Sequence, residues 1–448
     1  MKRITITICL LTSLATAAQD LNNQFDSMIN AQYKMEEPGG VVLVARKSAI
    51  IYERAFGMAN LELGVPMKKN MVFCIASLTK QFTAVAILDL VEKGKLSVKD
   101  TVGKFLPAYP EALKKISVEQ LLTHTAGVPN AKSISSLLAM GRGWLSAEQV
   151  MATFKDLALD FAPGTAWAYS NSGYQLLGYI IEKVTGEPYP EYMEKTIFSV
   201  AGMDHSFYGN DMRLVPNRAS SYLYTRRGIE NAVNGNVQIA FAAGALQSTA
   251  ADLLKWYQAL WSDKFIRKET LMKAWTRSTL TDGSKTDYGY GWFIGKLQGS
   301  PVIEHGGNMG GFMSHVMYLP TEDVLVVVLY NFRGKLPELL AADLAAITIG
   351  KPLAIKPFSM LPDQLQSYTG VYKNKQGTLY DIRLEEGKLF FQKNNAAKWQ
   401  LIPYARDKFY FDNTSTIGEM YRDVNGKIIR FVMQTRTGLN LHITEKTD

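Results

Sequence analysis

Three prolines, Pro352, Pro357 and Pro362, interrupt the stretch from Lys351 to Leu365, and the hydrophobic pattern differs on its two sides. Upstream, β-rich runs flank a long helical middle. Downstream, apolar and polar residues alternate with period two, as in Tyr380-Asp-Ile-Arg-Leu384 and Phe409-Tyr-Phe411, between glycine and asparagine turns. At 448 residues the chain also exceeds the roughly 300 at which one core stops growing. Two folded units are therefore expected, the second an all-β barrel over 363–448.

In the upstream part, Val41–Arg46 and Ile50–Phe56 read as a hairpin. Capped apolar helices are predicted over Ser77–Lys93, Asn171–Val184 and Thr249–Leu260. Strands return at Tyr288–Ile294, Val302–His305, Ser314–Leu319 and Val324–Tyr330, followed by a helix over Leu336–Ile349. An early hairpin and late strands can share one antiparallel sheet, flanked by helices and a helical subdomain, in an α+β fold over 19–350.

The first eighteen residues have the order of an export signal: Lys2 and Arg3, an apolar run from Ile4 to Leu14, then small residues Ala15 to Ala18. That run is too short to span a bilayer, and no later segment approaches about 20 apolar residues, so a soluble, periplasmic or secreted mature protein without stable membrane insertion is expected. Cys9 would leave with the signal, and Cys74 alone cannot form an internal disulfide. The formal charge is +8, but lysines and arginines are scattered rather than clustered, which argues against a nucleic-acid partner. His124, His205, His305, His315 and His442 lack metal-ligand spacing and no cysteine cluster supplements them, so neither a metal nor a cofactor is implied.

Three constellations carry chemistry. Ser77-Leu-Thr-Lys80 opens an apolar helix, and a spacing of three places both side chains on one face, close enough to share a proton. Burial and the positive helix N-terminus both favour a neutral lysine there. Tyr169-Ser170-Asn171 precedes the next helix. A tyrosine hydroxyl can relay a proton, and an asparagine amide can bind a substrate carbonyl or support the lysine; Asn171 as a plain helix cap is the alternative. His305-Gly306-Gly307 ends a strand before Asn308, where a backbone N–H among Gly307 to Met309 can join that of Ser77 around an oxyanion.

In this order the motifs resemble those of the serine β-lactamase-like superfamily, which includes class C β-lactamases, penicillin-binding D-alanyl-D-alanine carboxypeptidases, D-aminopeptidases and related esterases. Flanking stretches are similar too: Phe73 to Ala84, Ile116 to Val128, Ala243 to Ala250 and Tyr288 to Trp292, so the resemblance spans roughly residues 25–345. It implies Ser77 as nucleophile, Lys80 as its activator, Tyr169 as general acid/base, Asn171 as a substrate-contacting amide, and His305, Gly306, Gly307 and Asn308 as the third binding element. His124, in Leu-Thr-His-Thr-Ala-Gly, is read as part of a structural turn. Where β-lactamases and carboxypeptidases usually carry Lys-Thr-Gly, this sequence has His-Gly-Gly. A mostly neutral histidine holds a substrate carboxylate less firmly than a lysine does. The departure therefore points to an ester, a D-amino-acid peptide-like amide or a cell-wall-derived substrate, and the C-terminal barrel resembles the lipocalin-like domain that some such relatives append. A penicillin-binding sensor or scaffold that acylates with little turnover is the second reading.

Overall fold

The computed structural model describes residues 19–130, 146–209, 212–232, 237–353, 357–375, 377–394, 396, 398–412 and 414–447. Residues 1–18, where an export signal is expected, lie outside the described residues. The chain divides into two compact units, Met1–Ile294 with Ile303–Thr348, and Gly295–Val302 with Ile349–Asp448.

The first unit is built on a six-stranded sheet. Its strands follow the order Phe293–Leu297, Ser300–Met309, Phe312–Leu319, Val324–Tyr330, Gly40–Arg46 and Ala49–Phe56. The first strand of the chain pairs antiparallel with the last of this group, Leu43 opposite Val327, so the N-terminal hairpin joins the late strands in one sheet. Val324–Tyr330 is buried at every position, which its unbroken apolar run requires of a central strand. Val41, Leu43, Val316, Tyr318, Val327 and Leu329 all join the core shared with the helical middle. Period-two alternation puts these residues on one face of the sheet.

At the centre of that core runs the helix Thr79–Glu92, buried from Thr79 to Leu90. A helix that is apolar on all sides can be stable only inside a protein, and this placement carries Lys80 into the interior. The helix Asn171–Thr185 packs beside it, and Ala250–Leu260 and Pro337–Thr348 lie where helices are predicted. Among the described residues no helix is long and apolar enough to cross a membrane.

Two local expectations are corrected. Ser77 does not open the α-helix: Ala76–Leu78 forms a 3-10 turn, with Ala76 at φ 46°, and regular helix begins at Thr79. The strand expected over Tyr288–Ile294 begins only at Phe293. Before it, Gly291 adopts φ 91° where a Cβ would lie 2.9 Å from the carbonyl oxygen of Lys80. The chain must turn over the backbone of the buried helix there, and a strand cannot.

In the second unit, eight strands from Gly370–Asn374 to Asn440–Lys446 form a closed barrel, the last pairing antiparallel with the first. Closure leaves no unpaired edge. Tyr372, Tyr380, Phe391, Phe409, Phe411 and Phe431 are buried in one aromatic cluster. Their alternation with more exposed neighbours directs them to the barrel interior.

Candidate active site

The 3-10 turn that holds Ser77 is fastened on two sides. Ile75 donates its N–H to Leu246 O (3.0 Å), and Thr79 Oγ1 accepts from Leu246 N (3.1 Å). From the sheet side, Ser314 Oγ donates to Ile75 O (2.8 Å). Gly307, opposite Ser314 in the strand register, lies so close that a Cβ would stand 2.3 Å from Ile75 O and 3.0 Å from Ser77 N. Glycine is required for that approach, which brings the 300–309 strand against the Ser77 backbone. Gly307→Ala is expected to cost about 1–3 kcal/mol through overpacking. Urea unfolding measures this, and an unchanged midpoint would contradict the close approach.

Lys80 is completely buried and its Nζ has three oxygen neighbours: Asn171 Oδ1 at 2.8 Å, Ala243 O at 2.8 Å and Ser77 Oγ at 3.2 Å. The first two can only accept, so they fix two N–H bonds of the amine. The third position faces the serine hydroxyl, which can accept from an ammonium or donate to a neutral amine. Burial drives the Lys80 pKa well below its ordinary value. The shift favours the neutral amine, whose lone pair would then face Ser77 Oγ–H. Phe241, at φ 42°, bends the chain that presents Ala243 O.

Tyr169 is drawn in from the other side. Its ring lies 4.7 Å from Lys80 Nζ. Burial imposes a strong rise on its phenol pKa, which the neighbouring Ser77 side chain partly offsets. Asn171 is not the helix cap: Ser170 is, its hydroxyl accepting from Gly173 N at 3.1 Å. Asn171 is the first helical residue and its amide oxygen is turned to Lys80.

His305 is buried, with Nδ1 2.6 Å from Gly306 O and Nε2 3.0 Å from the Tyr288 hydroxyl. A carbonyl can only accept, so Nδ1 carries the proton and Nε2 accepts from Tyr288. Burial first, then Lys80, pushes its pKa down to about 3. The ring is thus neutral with both nitrogens engaged, and offers no cation to a substrate. Around it stand Phe293 (ring centroids 5.3 Å) and Tyr169 (6.0 Å). Gly306 is partly buried against His315, whereas Asn308 exposes its side chain.

The site therefore gathers Ser77, Lys80, Tyr169, Asn171, His305 and Gly307. Sequence reasoning missed the carbonyl of Ala243, the hydroxyl of Tyr288 and the side chain of Asn130, none of which carries a local signal. His124, set aside as a turn residue, does adopt a turn conformation at φ 59°, but its ring also lies 4.4 Å from that of Tyr169. Among the described residues no three histidine, cysteine or carboxylate side chains come together as metal ligands would.

Residues 25–349 match the protein family described as Beta-lactamase. Penicillin-binding protein 4* of Bacillus subtilis (strain 168) is 29% identical over 421 residues, which cover 85% of this chain and 90% of the relative. A D-aminopeptidase of Gluconobacter oxydans (strain 621H) is 26% identical over 318 residues, covering 70% of this chain and 59% of its own length. Among solved structures, the octameric penicillin-binding protein homologue from Pyrococcus abyssi superposes with a TM-score of 0.67 at 25% identity, covering 95% of this chain and 99% of that one.

Proposed function

This chain belongs to the Beta-lactamase family, and from that premise we propose that it is an exported serine hydrolase that cleaves an ester or a D-amino-acid peptide-like amide through an acyl-enzyme on Ser77. The observation that carries this reading is the environment of Lys80, whose two fixed N–H bonds leave its third position on Ser77 Oγ.

In acylation, Ser77 Oγ attacks the carbonyl carbon as its proton passes to Lys80 Nζ. The resulting oxyanion sits where the N–H of Ser77 and a backbone N–H from Gly307 to Met309 converge, at the end of the strand that Gly307 allows to approach. The tetrahedral intermediate collapses, the bond to the leaving group breaks, and the departing oxygen or nitrogen takes a proton through Tyr169. Water then attacks the acyl-enzyme by the reverse route, releasing the acid and restoring Ser77. The high phenol pKa of Tyr169 suits it to handing on a proton while remaining protonated at rest.

The neutral, fully engaged His305 favours substrates whose leaving side bears no carboxylate that must be clamped. An ester or a small peptide amide, cell-wall-derived or otherwise, meets that condition, and the relative named as a D-aminopeptidase supports the amide. Residues 19–350 form the hydrolase domain in this reading, 363–448 a separate lipocalin-like domain, and 1–18 the signal that sends the protein to the periplasm or medium.

The second reading, a penicillin-binding sensor or scaffold that acylates without turnover, draws on the name of the Bacillus subtilis relative. Incubation with a chromogenic ester, a D-amino-acid amide and a β-lactam separates the two. The hydrolase reading expects product well beyond one equivalent per protein with the ester or amide, and slow or stoichiometric reaction with the β-lactam. A burst of one equivalent and no further product from all three would overturn it in favour of the sensor.

A further inference from the structure

Residues 161–170 contain neither helix nor strand, yet they carry Tyr169 and lead into Asn171 beside Ser77 and Lys80. Something outside the segment must fix its backbone, because unpaired buried amides and carbonyls are costly. For residues 168–171 the partners come from one other loop, that of His124 and Asn130. Ala168 N donates to His124 O (3.1 Å), and Ser170 N donates to His124 Nδ1 (3.1 Å). Asn130 Nδ2 donates to Tyr169 O (2.8 Å), and Asn171 N donates to Asn130 Oδ1 (2.7 Å). Four successive residues are thus held by two, one on each side of the tripeptide.

The chemistry of His124 fits this task. Nδ1 accepts a backbone N–H, so the ring proton is on Nε2 and the imidazole is neutral, the form that its burial favours. Nε2 has no hydrogen-bond partner among the described residues; the rings of Tyr169, Tyr288 and Tyr174 surround the imidazole at 4.4, 4.6 and 5.0 Å. A side chain that titrated in the reaction would have a proton acceptor or donor at that nitrogen. His124 instead presents one acceptor, to Ser170, and a flat face to Tyr169.

We propose that His124 and Asn130 are positioning residues: a two-point clamp that sets Tyr169 and Asn171 in register with Ser77 and Lys80. The inference rests on the acyl-enzyme reading of Ser77. Because the clamp touches no reacting atom, its loss lowers kcat and leaves KM nearly unchanged; misplacing a proton-transfer group by about 1 Å can cost about a hundredfold.

Asn130 is exposed, so Asn130→Ala is not expected to compromise folding. Steady-state hydrolysis of a chromogenic ester should show kcat lowered about tenfold with KM within about twofold of wild type. In a Tyr169→Phe background the same change should cost several-fold less than in the wild type, since of the two groups it positions only Asn171 still acts. His124→Asn keeps an acceptor at the place of Nδ1 and tolerates a positive φ, and should retain at least about a third of kcat, whereas His124→Leu should lose about tenfold or more. The clamp is overturned if Asn130→Ala is silent, if its cost is equal in both backgrounds, or if the loss lies in KM. It is overturned too if His124→Asn and His124→Leu lose equally. Should the leucine variant not fold, the Asn130 arm decides. Ser77→Ala run alongside keeps the two readings apart: turnover surviving in that variant removes the acyl-enzyme, whereas the clamp fails on the Asn130 result with Ser77→Ala inactive.

Discussion

Ser77→Ala is expected to lose all labelling by a serine-reactive probe such as a fluorophosphonate, and to lower ester turnover by roughly five orders of magnitude. The size of the effect follows from where the hydroxyl stands. It lies beside Lys80 Nζ, the base in the proposed mechanism, and the turn that carries it is fastened by Leu246 and by Ser314 through groups other than Ser77 Oγ. Deleting the oxygen therefore removes the chemistry without loosening the turn. Ser77 makes no helix-capping bond, so stability should change by no more than about 1 kcal/mol, the net worth of an ordinary hydrogen bond. Probe labelling with intact-protein mass measurement, beside a urea unfolding curve, tests both halves. Labelling that persists on a folded Ser77→Ala protein would place the nucleophile elsewhere.

Much of this architecture is written in short-range pattern. The helix Asn171–Thr185 is legible because its apolar positions and its stop before Gly186 lie within a few turns. The strand Val324–Tyr330 and the alternating strands of the barrel are legible for the same reason. So is the pairing of Ser77 with Lys80, since three residues along a helical turn fix two side chains on one face. The 3-10 start of that helix was not legible: the strain at Ala76 is imposed by Leu246 and Ser314, far along the chain, rather than by the local residues.

The deeper part of the site is hidden from the sequence for one physical reason. Lys80 is held by Asn171, 91 positions away, and by Ala243 O, 163 positions away. A backbone carbonyl carries no residue signature, and its direction here depends on a left-handed Phe241 that no propensity predicts. His305 shows the complementary case. Its identity in the sequence already argued against a permanent cation, but only tertiary structure supplies the Tyr288 hydroxyl and the burial that fix it as neutral. Asn130 resembles any polar loop residue until its two bonds across Tyr169 are seen.

Lys80→Met is the second large effect, and its pH behaviour identifies the base. Removing the amine while keeping an unbranched stem should slow acylation of Ser77 by about a hundred- to ten-thousandfold, the usual worth of a positioned general base. In the proposed mechanism acylation requires neutral Lys80, so the wild-type rate should rise with pH through the folded-state pKa of this lysine. Burial has moved that pKa well below 10.5, and the rise therefore falls on the acid side of the ordinary lysine range. Between the folded value and the unfolded one, the unfolded chain holds the extra proton. Stability contributed by this group is thus fully present above the unfolded pKa and is lost as pH falls through that window to the folded pKa. Lys80→Met should abolish both the Lys80-linked acid limb of the acylation rate and this slope in the urea midpoint. At neutral pH two opposing terms meet in the variant: the cost of burying an amine disappears, while Asn171 Oδ1 and Ala243 O lose their donor at about 1–3 kcal/mol each. The midpoint at one pH is for that reason a weaker test than its pH dependence. A Lys80→Met protein that kept the same acid limb would show that another group takes the proton from Ser77.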